Sequence, residues 1–258
     1  MSKLLVTAGW SHVPHLDEAT KARLLDAFPA HERAARTEGM PLLGSGLIFS
    51  IDEQDIVVNP FNIPAFWPRI NGIDFGWDHP TGASSLAWDR DNDCVYVVKE
   101  FRARESVPAL NAAAIKAWGT WIPTAWPHDG LQHDKGSGEQ LAQLYRAQGL
   151  NMCKDKATHP PAKGEPEGTG GNGVEAGLQD MLERMMTGRW KVMRTCTQWL
   201  EERRTYHRKD GKVVKMRDDV ISSSRYAYMM LRKAIVKPLE RQQNNVAPYR
   251  PFDSVMGM

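Results

Sequence analysis

The sequence predicts an α/β protein with a mixed sheet flanked by helices, and three observations carry that expectation. Three short strand-like runs succeed one another between residues 70 and 101 with only turns between them. Helix-like and strand-like segments then alternate as far as residue 193. A last helix-like run, Val220 to Val236, opens on a pair of acids, Asp218 and Asp219.

Residues 1–45 differ in character from the rest of the chain. Asp17 to Phe28 has helical spacing and stops at Pro29. His31 to Glu38 suits a second short helix, and Pro41 with Gly44-Ser45-Gly46 suits a linker. The main domain is expected over 46–240, with 241–258 as a flexible tail. Leu47–Phe49 and Ile56–Val58 are short strand candidates. Ile70–Gly76, Ala83–Trp88 and Cys94–Phe101 form the meander, with Asp91-Asn92-Asp93 turning between the last two. Val107–Trp118 is Ala-rich and helical. Thr124–Trp126 is a short strand, Gly138–Gln148 a helix closed by Gly149, and Leu150–Cys153 another strand. Residues 154–173 are rich in Gly, Pro, Lys and Glu, so a mobile loop is expected. Val174–Thr187 is a helix capped by Gly188, and Trp190–Met193 a brief strand. Arg203–His207 and Val213–Met216 flank Lys209-Asp210-Gly211-Lys212, and Asp-Gly in that position signals a hairpin.

Composition narrows the class. The chain has 258 residues, and 41% apolar content is enough for a real core. No apolar run approaches the about 18 residues of a membrane span, and the first ten residues turn polar too soon for a signal peptide. Cys94, Cys153 and Cys196 are odd in number and far apart, which fits neither a zinc site nor a disulfide framework. A cytoplasmic location is the expectation. Net charge is only +2, but Arg184 to Arg217 holds eleven Lys/Arg against three Asp/Glu. A basic segment beside a carboxylate cluster suits a polyanionic partner; a solvated charged face is the plainer alternative.

The chemistry rests on acids at the ends of elements. Asp74 ends a short apolar strand just before Gly76 opens the chain, Asp129 ends Thr-Ala-Trp-Pro-His-Asp, and Asp218 and Asp219 begin the last helix. Carboxylates suit hard divalent cations, and two such ions can promote phosphodiester hydrolysis. Each acid also has an ordinary use. Asp74 and Asp129 could sit in turns, and Asp218 or Asp219 could cap the helix. Asp78 and Asp134 are reserves, and His79 and His128 suit either an assisting role or an ordinary loop position. No Gly-x-x-x-x-Gly-Lys-Ser/Thr nucleotide loop is present, and Gly168–Gly173 is preceded by no strand. Ser222-Ser223-Ser224 suit small packing positions.

Several of these segments also occur together, in order, in one family. Gly72-Ile-Asp-Phe-Gly76, Trp126-Pro-His-Asp-Gly130, Asp134-Lys-Gly-Ser-Gly138, the Tyr206–Lys215 hairpin, and Asp218-Asp219 before Arg225-Tyr226-Ala227 carry the likeness. The chain resembles the C-terminal nuclease domain of the large terminase subunit of tailed bacteriophages, particularly those that package by headful. The resemblance implies a ribonuclease H-like mixed sheet and endonucleolytic cutting of concatemeric viral DNA with two Mg²⁺ or Mn²⁺ ions. By position it implies Asp74 as the central metal-bridging acid, Asp129 as the second ligand, and Asp219 with Asp218 as the third. Arg203, Arg204, Arg208, Lys209, Lys212 and Lys215 of the basic hairpin region would contact the backbone of double-stranded DNA. Residues 1–45 would be the tail of an ATPase domain and its linker. The ATPase core itself is absent, so a piece of a longer protein is expected, without ATP hydrolysis or DNA translocation. In the whole protein the portal and the small terminase subunit would be partners. A junction resolvase, an integrase-type enzyme and a non-catalytic docking module for DNA or portal are the competing readings.

Overall fold

The computed structural model describes residues 9–27, 37–38, 46–132 and 139–238. The expected helix at 31–38 falls mostly outside these residues, as do most of the linker, the Asp134–Gly138 motif and the C-terminal tail. The N-terminal helix spans Glu18–Ala27 (α1).

Six strands form one sheet: β1 (Val57–Val58), β2 (Arg69–Asp74), β3 (Thr81–Asp89), β4 (Cys94–Ala103), β5 (Thr124–Ala125) and β6 (Trp190–Met193). Their spatial order is β1-β6-β4-β3-β2-β5. β2, β3 and β4 pair antiparallel, as their short connections require. β5 joins β2 in parallel, while β6 joins β4 and β1 in parallel, each reached through longer connections. The mixed sheet is the one expected. In the turn between β3 and β4, Asp93 adopts φ 45°, a conformation that Asp tolerates better than most residues.

Among the described residues the sheet is accompanied by α2 (Glu53–Ile56), α3 (Pro108–Lys116), α4 (Leu141–Ala147), α5 (Val174–Met186), α6 (Thr197–Thr205) and α7 (Asp219–Met229). α7 lies directly across β2 and β3. Two glycines make that approach possible. A Cβ on Gly72 would collide with the backbone oxygen of Ser223 and stand 2.9 Å from Ala227 N. A Cβ on Gly82 would collide with the backbone of Asp219. The serine triplet is buried in this seam, and Ser223 Oγ lies 3.1 Å from Ser84 Oγ on β3. The triplet therefore serves packing.

Four expectations need correction. Leu47–Phe49 is not a strand: Leu47 makes a single bridge to His207, and Ile48 and Phe49 are buried, with Phe49 stacked on Trp199 at 6.3 Å. Three apolar residues are too few for periodicity to separate a strand from any other buried segment. Leu150–Cys153 likewise contributes one bridge, Met152 to Thr124. Residues 154–173 carry no helix or strand, but they are tied down rather than loose. Ala157 N donates to Trp126 O at 2.7 Å, His159 N to Gly171 O at 2.8 Å, and Arg232 pairs with Glu167 at 2.7 Å.

The fourth correction concerns the basic segment. Arg203 and Arg204 stand on α6, not on a hairpin arm. Glu100 of β4 accepts hydrogen bonds from Gln198 N (2.9 Å) and Trp199 N (2.8 Å), satisfying the first turn of that helix. Glu201, Glu202, Arg203 and Arg204 are all strong helix formers, a signal weaker to the eye than the hairpin beside it. The hairpin proper is β7 (Arg208–Lys209) and β8 (Lys212–Val213). Its turn has Asp210 at φ 51° and Gly211 at φ 76°, the double positive φ that Asp-Gly supplies.

Candidate metal and nucleic-acid site

Strand β2 ends at Asp74, and the chain turns back over residues 75–80. Thr81 Oγ1 closes that turn, donating to Gly76 O at 2.9 Å and lying 3.2 Å from Gly76 N. Asp74 is paired in register with Gly82 on β3, and the backbone of Asp219 rests on Gly82. Asp74 and the start of α7 are thereby brought together. After β5, Trp126 is anchored by its Nε1 to Cys153 O (2.8 Å), and a short 3-10 turn, His128–Leu131, presents Asp129 on the surface.

All four predicted acids line one cleft of about 670 Å³. The exposed Asp78 and His79 lie on its rim, as do Lys215 and Arg217 from the segment after the hairpin. Asp134 lies outside the described residues. His79 Nδ1 is 3.4 Å from Asp219 Oδ1, and Lys156 Nζ is 2.7 Å from His128 Nδ1, beside Asp129.

Electrostatics binds the acids into one unit. Asp74 is held well above the usual carboxylate range, first by desolvation, then by the charge of Asp218, with Asp219 and Asp129 adding to the repulsion and Arg225 opposing it. Asp218 is raised by desolvation and by Asp219, and Asp219 by desolvation against the pull of His79 and Arg102. Among the described residues no three His, Cys, Asp or Glu side chains close into a ready-made metal cage. The donor set nonetheless fits a hard divalent cation. Every donor is a carboxylate oxygen, and the strain in the group is unscreened negative charge that a cation would relieve.

Helix capping is the ordinary alternative for Asp218 and Asp219. Asp218 occupies the cap position but makes no side-chain cap; instead Ser222 Oγ donates to its Oδ2 at 3.3 Å. The cap comes from elsewhere. Glu202, 1% exposed on α6, accepts from Val220 N and Ile221 N at 2.9 Å each and pairs with Arg102 at 3.0 Å. Desolvation pushes its carboxyl up to about 7. By taking the cap, Glu202 leaves both aspartates for the cleft. Sequence reasoning misses it, because its only local signal is an acid in a charged helical run.

The predicted DNA contacts divide. Arg203 is 4% exposed and faces Glu53 at 3.6 Å; Arg204 binds the same carboxylate at 2.6 Å. Their work is to join α6 to α2, and they leave the interface. Arg208 is paired with Glu175 of α5 at 2.6 Å. Lys209 and Lys212 are exposed on the hairpin, and Lys215 on the cleft rim.

Comparison with known proteins points the same way. A family model described as the terminase RNaseH-like domain matches residues 71–231. The terminase large subunit of Salmonella phage P22 is 42% identical over 243 residues, 92% of this chain and 47% of that protein. The large subunit of Enterobacteria phage LP7 is 42% identical over 84% of this chain and 44% of its own length. The chain thus spans about half the length of these relatives. The solved nuclease domain of the P22 large terminase is 43% identical, covers 75% of this chain and 96% of its own, and superposes with a TM-score of 0.67. A large terminase from a thermophilic bacteriophage shares the fold at 15% identity and a TM-score of 0.54, over 86% of this chain and 55% of its own. The ribonuclease H-like sheet, the acids gathered in one cleft beyond the ends of β2 and β5, and these matches together place the chain in the family of terminase RNaseH-like domains.

Proposed function

We propose that this chain is a metal-dependent DNA endonuclease domain that cuts concatemeric viral DNA during genome packaging. One observation carries the reading: Asp74, Asp129, Asp218 and Asp219 line a single cleft whose rim and neighbouring hairpin carry exposed lysines. Two Mg²⁺ or Mn²⁺ ions held by these carboxylates would polarise the scissile phosphate and acidify a nearby water. Asp74, at the centre of the repulsive group, would be their central ligand. Asp129 from the exposed 3-10 turn, and Asp218 and Asp219 from the start of α7, would supply the remaining carboxylate donors. Hydrolysis adds water across the P–O bond: the entering oxygen bonds to phosphorus and gives a proton to solvent, while the 3′ or 5′ oxygen leaves and takes a proton from solvent to become a hydroxyl.

Lys209, Lys212 and Lys215 position the duplex through its phosphates without reading sequence. Replacing all three by Ala is expected to weaken duplex binding equally across sequences. The slope of log affinity against log salt should fall by about one for each phosphate that is no longer neutralised. Anisotropy titrations over a salt series measure it, and an unchanged slope would remove the hairpin from the interface. Arg203→Ala, in contrast, should leave that slope alone. In the whole protein the portal and the small terminase subunit are the proposed partners, and the host-cell cytoplasm the proposed compartment. Among the described residues no helix is long and apolar enough to cross a membrane.

Acidity tunes the site in a definite direction. Asp74, Asp218 and Asp219 are raised from an ordinary value of 3.8, so protons compete with cations above that pH. The folded metal-free protein binds more protons than the unfolded chain there, so its stability should fall as pH rises through the raised values. Cation binding should strengthen over the same window. The Mn²⁺-induced rise in melting temperature is therefore expected to be larger at pH 8 than at pH 5. An equal rise at both would mean that these acids do not take up the ion. The nuclease itself is tested by plasmid nicking with Mn²⁺, Mg²⁺ and EDTA: cutting with either metal and none with EDTA is expected, and metal-independent cutting would overturn it.

A further inference from the structure

Arg225 is a buried cation that closes no ion pair among the described residues, although Asp74 lies near enough to feel its charge. It is 3% exposed, yet it lines the cleft of the four acids. Its stem is threaded between two helices, with Cγ and Cδ both 3.0 Å from where a Cβ on Gly177 of α5 would stand. The guanidinium lies over the Tyr226 ring at 4.4 Å. Nη1 finds only Met229 Sδ at 3.4 Å, a weak acceptor, and Nε finds no partner at all. None of the ion pairs among the described residues involves it, whereas Arg102 in the same cleft is matched by buried Glu202. Arg104, Lys215 and Arg217 are exposed and left to solvent. A guanidinium sunk in protein with a free N–H costs stability, so its position calls for an anion that arrives later.

Resting on the nuclease reading above, we propose that Arg225 is a substrate-contact residue: its guanidinium receives a non-bridging oxygen of the DNA phosphodiester seated over the acids. The charges fit. Four carboxylates matched by two divalent cations leave Arg225 as the buried charge still unpaired, and a phosphodiester supplies one negative charge that grows during hydrolysis. The planar fork of arginine suits two phosphate oxygens, and the Gly177 seat and the Tyr226 ring fix its plane. The rival is that Arg225 merely offsets the charge of Asp74 and never meets DNA.

Arg225→Met separates the two. It keeps the buried stem and removes the charge, so the fold should survive with an equal or higher melting temperature. Mn²⁺ binding, measured by calorimetry, should be equal or tighter, because a positive neighbour of the acids is gone. Affinity for a short duplex, measured with Ca²⁺ in place of Mn²⁺, should fall about tenfold and the cleavage rate about a hundredfold, the loss of one charge-assisted hydrogen bond to phosphate. Wild-type duplex affinity and cleavage in this variant would overturn the assignment. Should Arg225→Met fail to fold, Arg225→Lys carries the test. With a point charge in place of the fork it should cut about tenfold more slowly. Unchanged cutting and duplex binding in that variant would overturn the assignment too. A wild-type chain that binds no Mn²⁺ and cuts nothing would sink the nuclease reading itself, and the two failures are told apart by the wild-type arm.

Discussion

Asp74→Asn is expected to abolish metal-dependent cleavage while making the metal-free protein more stable. The two effects have one cause. Asp74 sits where desolvation and three neighbouring aspartates all oppose its charge, so at neutral pH its ionised form works against the fold. The sign is fixed by the direction of the shift. A carboxyl whose folded pKa is raised stabilises the fold below its ordinary value and loses that contribution as pH rises through the folded value. Asparagine fills the same volume without the charge and removes the penalty. It also removes the central anionic donor, and with it several kcal/mol of transition-state stabilisation, about a thousandfold or more in rate. The checks are a nicking assay, a melting curve without metal, and the Mn²⁺-induced shift, which should shrink sharply. Cutting at the wild-type rate would mean that the site is misplaced. A metal-free melting temperature well below wild type would mean that Asp74 holds the fold rather than the ion.

The core strands and most helices are legible because their signals are local. β2, β3 and β4 are apolar runs broken by turn residues, and Asp-Gly specifies the hairpin turn down to the sign of φ at both positions. The failures share a physical origin. Sequence alone makes the end of α6 the arm of a hairpin, because its helical state is fixed by Glu100, which accepts from Gln198 N and Trp199 N and lies on a strand about a hundred residues away. The two arginines on α6 have the pattern of surface charge, yet Glu53 claims both. Leu47–Phe49 has strand composition but packs as a wedge against Trp199 and Tyr206.

The candidate site is legible in its donors and not in its supports. Asp74, Asp218 and Asp219 can be picked out because they end a strand or open a helix, and Asp129 because it sits in the short turn that follows β5. Glu202 and Arg225 cannot. Their importance comes from what they lack in sequence and gain in space: one caps a helix it does not belong to, and the other keeps a buried guanidinium whose Nε has no hydrogen-bond partner. Local pattern carries hydrophobic period and turn chemistry, but not a partnership made only when distant helices close.

Two glycine substitutions should separate the support of the fold from the support of the site. At Gly72 a methyl group would enter the backbone of α7 at mid-helix, colliding with Ser223 O and approaching Ala227 N at 2.9 Å. Backbone cannot swing aside as a flexible side chain does, and both walls of this seam are regular structure. Gly72→Ala is therefore expected to lift the helix from the sheet and cost more than about 4 kcal/mol, beyond the ordinary range of single substitutions. At Gly82 the added methyl meets the first turn of the same helix, where it would press on the backbone of Asp219 and stand 2.9 Å from its Cβ. A helix end can tilt, so the cost in stability should be smaller, about 1–3 kcal/mol, as for other overpacked positions. The tilt moves Asp219 relative to Asp74, which is Gly82's register partner. Gly82→Ala should then remain folded, bind Mn²⁺ weakly and cut poorly, whereas Gly72→Ala should fail chiefly in melting temperature. Denaturation curves together with Mn²⁺ titrations distinguish them. Equal stability loss in both, with metal binding intact in Gly82→Ala, would show that the glycine opposite Asp74 serves packing alone.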